Sequence, residues 1–108
     1  MVDINLKRKE SRVLTYTYND DVSASEINSA VLTFIMKNNI NNVDELVRVS
    51  NASFDKSDSA NKKVTFVFTD DFSDRVGRFV CELTSVFSAT VTTKSDTDNI
   101  IISEAIND

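Results

Sequence analysis

Apolar residues at every second position dominate this chain. "KKVTFVF" sets Val64, Phe66 and Phe68 on one face, and "RFVCEL" sets Phe79, Cys81 and Leu83 in register against Arg78, Val80 and Glu82. A period of two is the pattern of a half-buried strand, because successive side chains point to opposite faces. The alternation recurs in "VDINL" (Val2, Ile4, Leu6) and in "RVLTYTY", where Leu14, Tyr16 and Tyr18 oppose Val13, Thr15 and Thr17. In "NSAVLTFIMK" Ala30, Leu32, Phe34 and Met36 point inward, and Val31 and Ile35 make the second face apolar, which predicts a strand covered on both sides. "VFSATVTT" and "NIIISEAI" add two further strands toward the C-terminus. Two stretches carry a helical signal: Ser23 and Glu26 in "DVSASEIN", and Asn42 and Glu45 ahead of a short strand ending near Val49, have capping-box spacing. Seven or eight short strands at intervals of about ten residues predict a single all-β domain, an antiparallel sandwich or barrel.

Turn chemistry is the second constraint. Among 108 residues there is one glycine and no proline. Turns therefore fall to Asn, Asp and Ser, which bond their own backbone. Candidates are Asn19–Asp21, Asn38–Asn42, Ser50–Ser53, Lys56–Asn61, Thr69–Asp74 and Lys94–Asn99. The lack of proline also removes one means of protecting sheet edges. Gly77 stands alone, and a positive φ or the close approach of a neighbouring strand is expected there.

The residues offer little for catalysis. There is no histidine, the usual acid–base group at neutral pH. The carboxylate pairs Asp20–Asp21, Asp70–Asp71 and Asp96–Asp98 all fall in expected turns. "DKSDSAN" and "DTDN" lack the ligand spacing of an EF-hand; their acids are either turn caps in water or parts of loops that converge on Ca²⁺. Cys81 sits inside an apolar alternation and is expected as a buried thiol rather than a nucleophile. No enzyme activity, cofactor or metal is expected. A net charge of −5 argues against nucleic-acid binding. No run is long enough to span a membrane, and the N-terminus does not read as a signal peptide, so synthesis in a reducing cytoplasm is expected.

The segments "SAVLTFIMK", "DKSDSANKKVTFVFTDDFSD" and "VGRFVCELTSVFSATVTT" together resemble the small immunoglobulin-like β-sandwich modules of tailed-phage virion proteins. The nearest likeness is to N-terminal domains of upper-baseplate and tail-fibre proteins. Ala30–Lys37 match the "ATLTF.VK" strand, Asp55–Ala60 the polar loop, Lys63–Phe68 "G.VTF.L" and Gly77–Leu83 "G.Y.YEL". Phe79 keeps the usual aromatic, Cys81 replaces the second one, Val76 stands where a proline is common, and the last hairpin lacks its glycine. The resemblance covers the last three-quarters of the chain and carries no catalytic signature.

It implies an antiparallel immunoglobulin-like sandwich in a structural virion protein made in the host cytoplasm. The chain ends just after its last strand, so a small tail or baseplate adaptor or a capsid decoration protein is expected, with other virion proteins and copies of itself as partners. The alternative is a module binding carbohydrate or the cell surface, for which Phe54 and Phe72 are the loop aromatics. The run Lys7–Arg12, with Lys7, Arg8 and Lys9, is either a solvated strand end or a basic arm. Val2, Ile4 and Leu6 either add to a neighbouring subunit as a strand or fold back as an edge of their own sandwich. Gly77, Phe79 and Cys81 are the expected structural positions.

Overall fold

A computed structural model describes residues 3–39, 44–87 and 94–104. Val2 and Asn42 lie outside the described residues. Seven strands are seen among those described: β1 (Asp3–Lys7), β2 (Arg12–Thr17), β3 (Val31–Lys37), β4 (Val47–Val49), β5 (Lys63–Phe68), β6 (Gly77–Val86) and β7 (Lys94–Ser103). One short helix, α1 (Ala24–Ser29), joins β2 to β3. Its capping box forms as the spacing implies: Glu26 N–H donates to Ser23 Oγ at 3.1 Å and Ser23 N–H to Glu26 Oε1 at 3.0 Å. At its other end Lys56 Nζ donates to Ala30 O at 2.6 Å, and burial lowers the lysine pKa. A cation there satisfies a carbonyl that the helix leaves open.

The strands form two sheets, one of five strands in the order β1-β7-β6-β3-β4 and one of two, β2-β5. Their inner faces share one core. Phe34 of the larger sheet lies 4.7 Å, centroid to centroid, from Phe66 of the smaller and 6.2 Å from Phe68. Phe54 tilts onto Phe66 at 5.0 Å, and Phe72 meets Phe68 edge-on at 5.4 Å. Each such pair adds about 0.5–1.5 kcal/mol beyond its buried area. The alternating residues Leu14, Leu32, Phe34, Val64, Phe66, Phe79, Cys81 and Leu83 are all buried.

All-β architecture is as expected, but the wholly antiparallel arrangement needs correction. β1 runs parallel to β7, from Asp3 opposite Asn99 to Lys7 opposite Ser103. The first strand of the chain thus lies beside the last, a pairing of high sequence separation that local pattern does not encode. Two further expectations fail. Lys94–Asn99, expected as a turn, is the first part of β7 and pairs with Val80–Ser85 of β6; its polar composition is tolerated because a strand's fitness depends on its neighbours more than on intrinsic preference. β3 is covered on its inner face only, since Val31 is 55% exposed. The "VFSATVTT" strand is in part the end of β6, and its remainder lies outside the described residues.

Candidate interaction surface

The chemical candidates resolve into structural roles. Asp55 Oδ1 accepts from Ser57 N–H at 2.8 Å, and Asn61 Nδ2 donates to Asp58 Oδ1 at 2.7 Å, so these residues cap their own turns. Asp20, Asp21 and Asp70 are exposed on turns. No group of three metal-ligating side chains is found among the described residues. Cys81 is 2% exposed, and burial together with nearby Asp98 pushes its thiol up to about 12. It is therefore an unreactive thiol at neutral pH. Phe79 is buried beside it in the alternation. Gly77 has φ +146°, and a Cβ there would lie 3.3 Å from the Phe79 ring. A shallow cavity of about 100 Å³ on the outer face of the large sheet is lined by Ile35, Lys37, Val80 and Glu82.

More is carried by the edges of the sheets, where β1 and β2 treat their open sides differently. Arg8 N–H donates to Ser103 O, so Ile4, Leu6 and Arg8 direct their amides to β7, while Asn5 and Lys7 direct theirs outward. The Asn5 carbonyl and both Lys7 groups are met within the chain. Arg12 Nη1 donates to Asn5 O at 2.9 Å, Lys7 N–H donates to Glu10 Oε1 at 2.9 Å, and Glu10 N–H donates to Lys7 O at 3.0 Å. Glu10 is itself held by Arg12 at 2.6 Å. The Lys7 amide and then Arg12 keep the Glu10 carboxyl below the usual carboxylate range. Ser73, fully buried, donates from Oγ to Glu10 O at 2.7 Å, while Lys9 N–H donates to Ser73 O at 3.1 Å. The connection from β1 to β2 is thereby pinned to the loop before β6.

The basic run is largely engaged within its own chain. Arg8 bridges Asp74 and Glu104, each at 3.0 Å, and Arg12 pairs with Glu10. Lys9 has φ +66° and is exposed, as is Lys7. Ile4 and Leu6 belong to β1, and Leu6 is buried in the core. Of the two alternatives for this strand, the one seen is an edge of its own sheet.

β2 has no such cover. Thr65 of β5 exchanges both backbone bonds with Asp55, at 2.7 and 3.0 Å. Thr15, directly across from Thr65, therefore forms a non-hydrogen-bonded pair with it and turns its N–H and C=O away from β5. Tyr18 N–H reaches Lys62 O on the β5 side at 2.7 Å, which fixes the same phase. Val13, Thr15 and Thr17 thus present backbone donors and acceptors along the free side of β2, and no backbone bond meets them among the described residues. Their side chains lie on the outer face beside Val67, Thr65 and Lys63. Val13 is 58% and Val67 51% exposed, and the two stand directly opposite each other.

Sequence reading misses the Ser73 clamp, the Lys56 cap and the Glu10–Arg12 cover, since each joins residues that only the fold brings together or that read as ordinary surface charge. The uncharged row Val13, Thr15, Thr17 is visible in the alternation; its significance depends on which edge stays open. Compared with protein-family models and with curated proteins, the chain matches none.

Proposed function

We propose that this chain is a non-enzymatic structural module that works by assembly, an immunoglobulin-like sandwich serving as a tail or baseplate adaptor or a capsid decoration protein of a tailed bacteriophage. The observation that carries the assembly part is the open edge of β2, whose own outward residues Val13, Thr15 and Thr17 are uncharged. Proteins that work alone blunt such edges with charge, bulges or covering loops, because an exposed edge is a template for another chain. The immunoglobulin-like part is supported by strand order: β2 pairs with β5 in one sheet, and β3, β6 and β7 are neighbours in the other, as strands B, E and C, F, G are in that fold. β1 departs from the constant-type pattern by joining the larger sheet.

The virion part rests on the resemblance of the β3, β5 and β6 segments. Its partners are other virion proteins and copies of the same chain. The carbohydrate-binding alternative calls for exposed loop aromatics, but Phe54 is buried and Phe72 packs on Phe68. Mass spectrometry of particles purified from the producing host tests the reading. The expected result is this chain at a fixed ratio to the major virion proteins through successive purification steps. Its loss from intact particles would overturn it.

A further inference from the structure

We infer that the free edge of β2 is a self-association site, at which a second copy of this chain adds its own β2 antiparallel across a two-fold axis at Thr15. This names the surface for self-contact within the proposed function, and it stands on the edge geometry alone.

The occupant is fixed by phase, face and charge. Thr15 exposes both N–H and C=O on the free side, so in a two-fold pairing it meets Thr15 of the partner subunit as a hydrogen-bonded pair. Val13 then meets Thr17 of the partner subunit, and Thr17 meets the partner's Val13. These are the residues whose backbone groups point outward, so each pair exchanges two bonds. Their side chains lie on the same outer face, and all are uncharged and β-branched, which suits cross-strand pairing. The result joins two two-stranded sheets into one four-stranded sheet. A strand pair is marginal by itself and gains from such extension.

Charge sets the direction. Up to the start of β2 lie Lys7, Arg8, Lys9 and Arg12 with one acid, Glu10; just after it lie Asp20 and Asp21, both exposed. An antiparallel copy centred on Thr15 brings this basic flank toward the acidic flank of the partner subunit, and does so twice. A parallel copy would bring basic flank to basic flank and acidic to acidic, which disfavours it. The β1 edge is blocked at its Lys7 end, because Glu10 and Arg12 occupy the Asn5 carbonyl and both backbone groups of Lys7.

Sedimentation of the full chain from micromolar to millimolar concentration tests the inference. Three samples are compared: the wild type, Thr15→Lys and Thr15→Asp. Thr15 is exposed and its backbone bonds nothing on the free side among the described residues, so both variants are expected to retain the fold, checked by thermal melting. The wild type is expected to dimerise with concentration. Each variant places like charges on the axis and is expected to weaken dimerisation roughly tenfold or more, equivalent to about 1.4 kcal/mol. An equimolar mixture of the two variants should recover a heterodimer, since opposite charges then meet. A wild type that stays monomeric throughout, or variants that dimerise as it does, would overturn the site. Because the measurement uses the isolated chain, that failure leaves the particle-composition test untouched, and the reverse holds.

Discussion

The two sheets end, on the flank where Arg12 reaches Asn5 O, in strands that handle the same problem in opposite ways. β1 turns outward groups toward solvent, and Glu10 and Arg12, a few residues later, meet the Asn5 carbonyl and both groups of Lys7. β2 turns outward groups toward solvent and leaves them beside Val13, Thr15 and Thr17. The difference lies in the path of the chain beyond each strand. After β1 the chain reverses tightly, with Glu10 N–H bonding back to Lys7 O, so that Glu10 and Arg12 fall beside the edge just left. After β2 the chain departs through Asn19–Asp21 and α1 to the other sheet, and none of the described residues returns to bond that edge. An edge is closed or open according to where the next few residues go, more than by its own composition.

The largest expected effect comes from removing the closed side altogether. A chain lacking residues 1–12 loses the whole β1–β7 ladder, Leu6 from the core and the Arg8 bridges. It is expected to lose cooperative unfolding, and its Cys81 thiol, buried in the intact protein, is expected to label rapidly. A truncated chain that melts cooperatively with Cys81 protected would make β1 a detachable arm. Next in size is Ser73→Ala, which removes a buried hydroxyl and leaves Glu10 O short of a partner. A destabilisation of about 1–3 kcal/mol is expected in denaturant titration. A shift near zero would detach the Ser73 clamp from the stability of the closed side.

Glu10→Ala should cost less, below about 1 kcal/mol, since its ion pair with Arg12 is partly exposed. Its signature is elsewhere: the Lys7 amide loses its acceptor while Lys7 O and Asn5 O keep theirs, so faster hydrogen exchange of that one amide is expected. The wild type offers the same test by pH. Glu10 has a depressed folded-state pKa, so its contribution is present above the ordinary glutamate value and is lost as pH falls through the depressed one. The Lys7 amide resonance should therefore titrate below the usual glutamate range. Smallest of all, Thr15→Lys should change the stability of the monomer by no more than about 0.5 kcal/mol, as surface substitutions do. A larger loss would mean that β2's free side is engaged within its own chain.

Much of the sandwich is legible in the sequence because its signals are local. Alternation locates β2, β3, β5 and β6 and selects the buried face of each, and the Ser23–Glu26 spacing locates α1. Gly77 is readable because no residue with a Cβ fits readily at its φ. What sequence does not disclose is pairing between distant strands. Nothing in "VDINL" or "NIIISEAI" announces that they lie side by side and parallel, and polar Lys94–Asn99 reads as a turn until β6 is placed against it. The interaction surface is legible in part for the same reason. The row Val13, Thr15, Thr17 is visible as one face of an alternation, but its backbone phase depends on Thr65 bonding Asp55, a bridge across a loop.

Amide hydrogen exchange, read residue by residue over a range of protein concentrations, measures the contrast between the two edges directly. The amide of Thr15, with those of Val13 and Thr17, should gain protection as concentration rises, because a second copy supplies the missing acceptors. The amide of Lys7 should show protection that does not change, because Glu10 supplies its acceptor within the chain. Concentration-independent exchange at Thr15, or protection at Lys7 that grows with concentration, would contradict the assignment of open and closed edges.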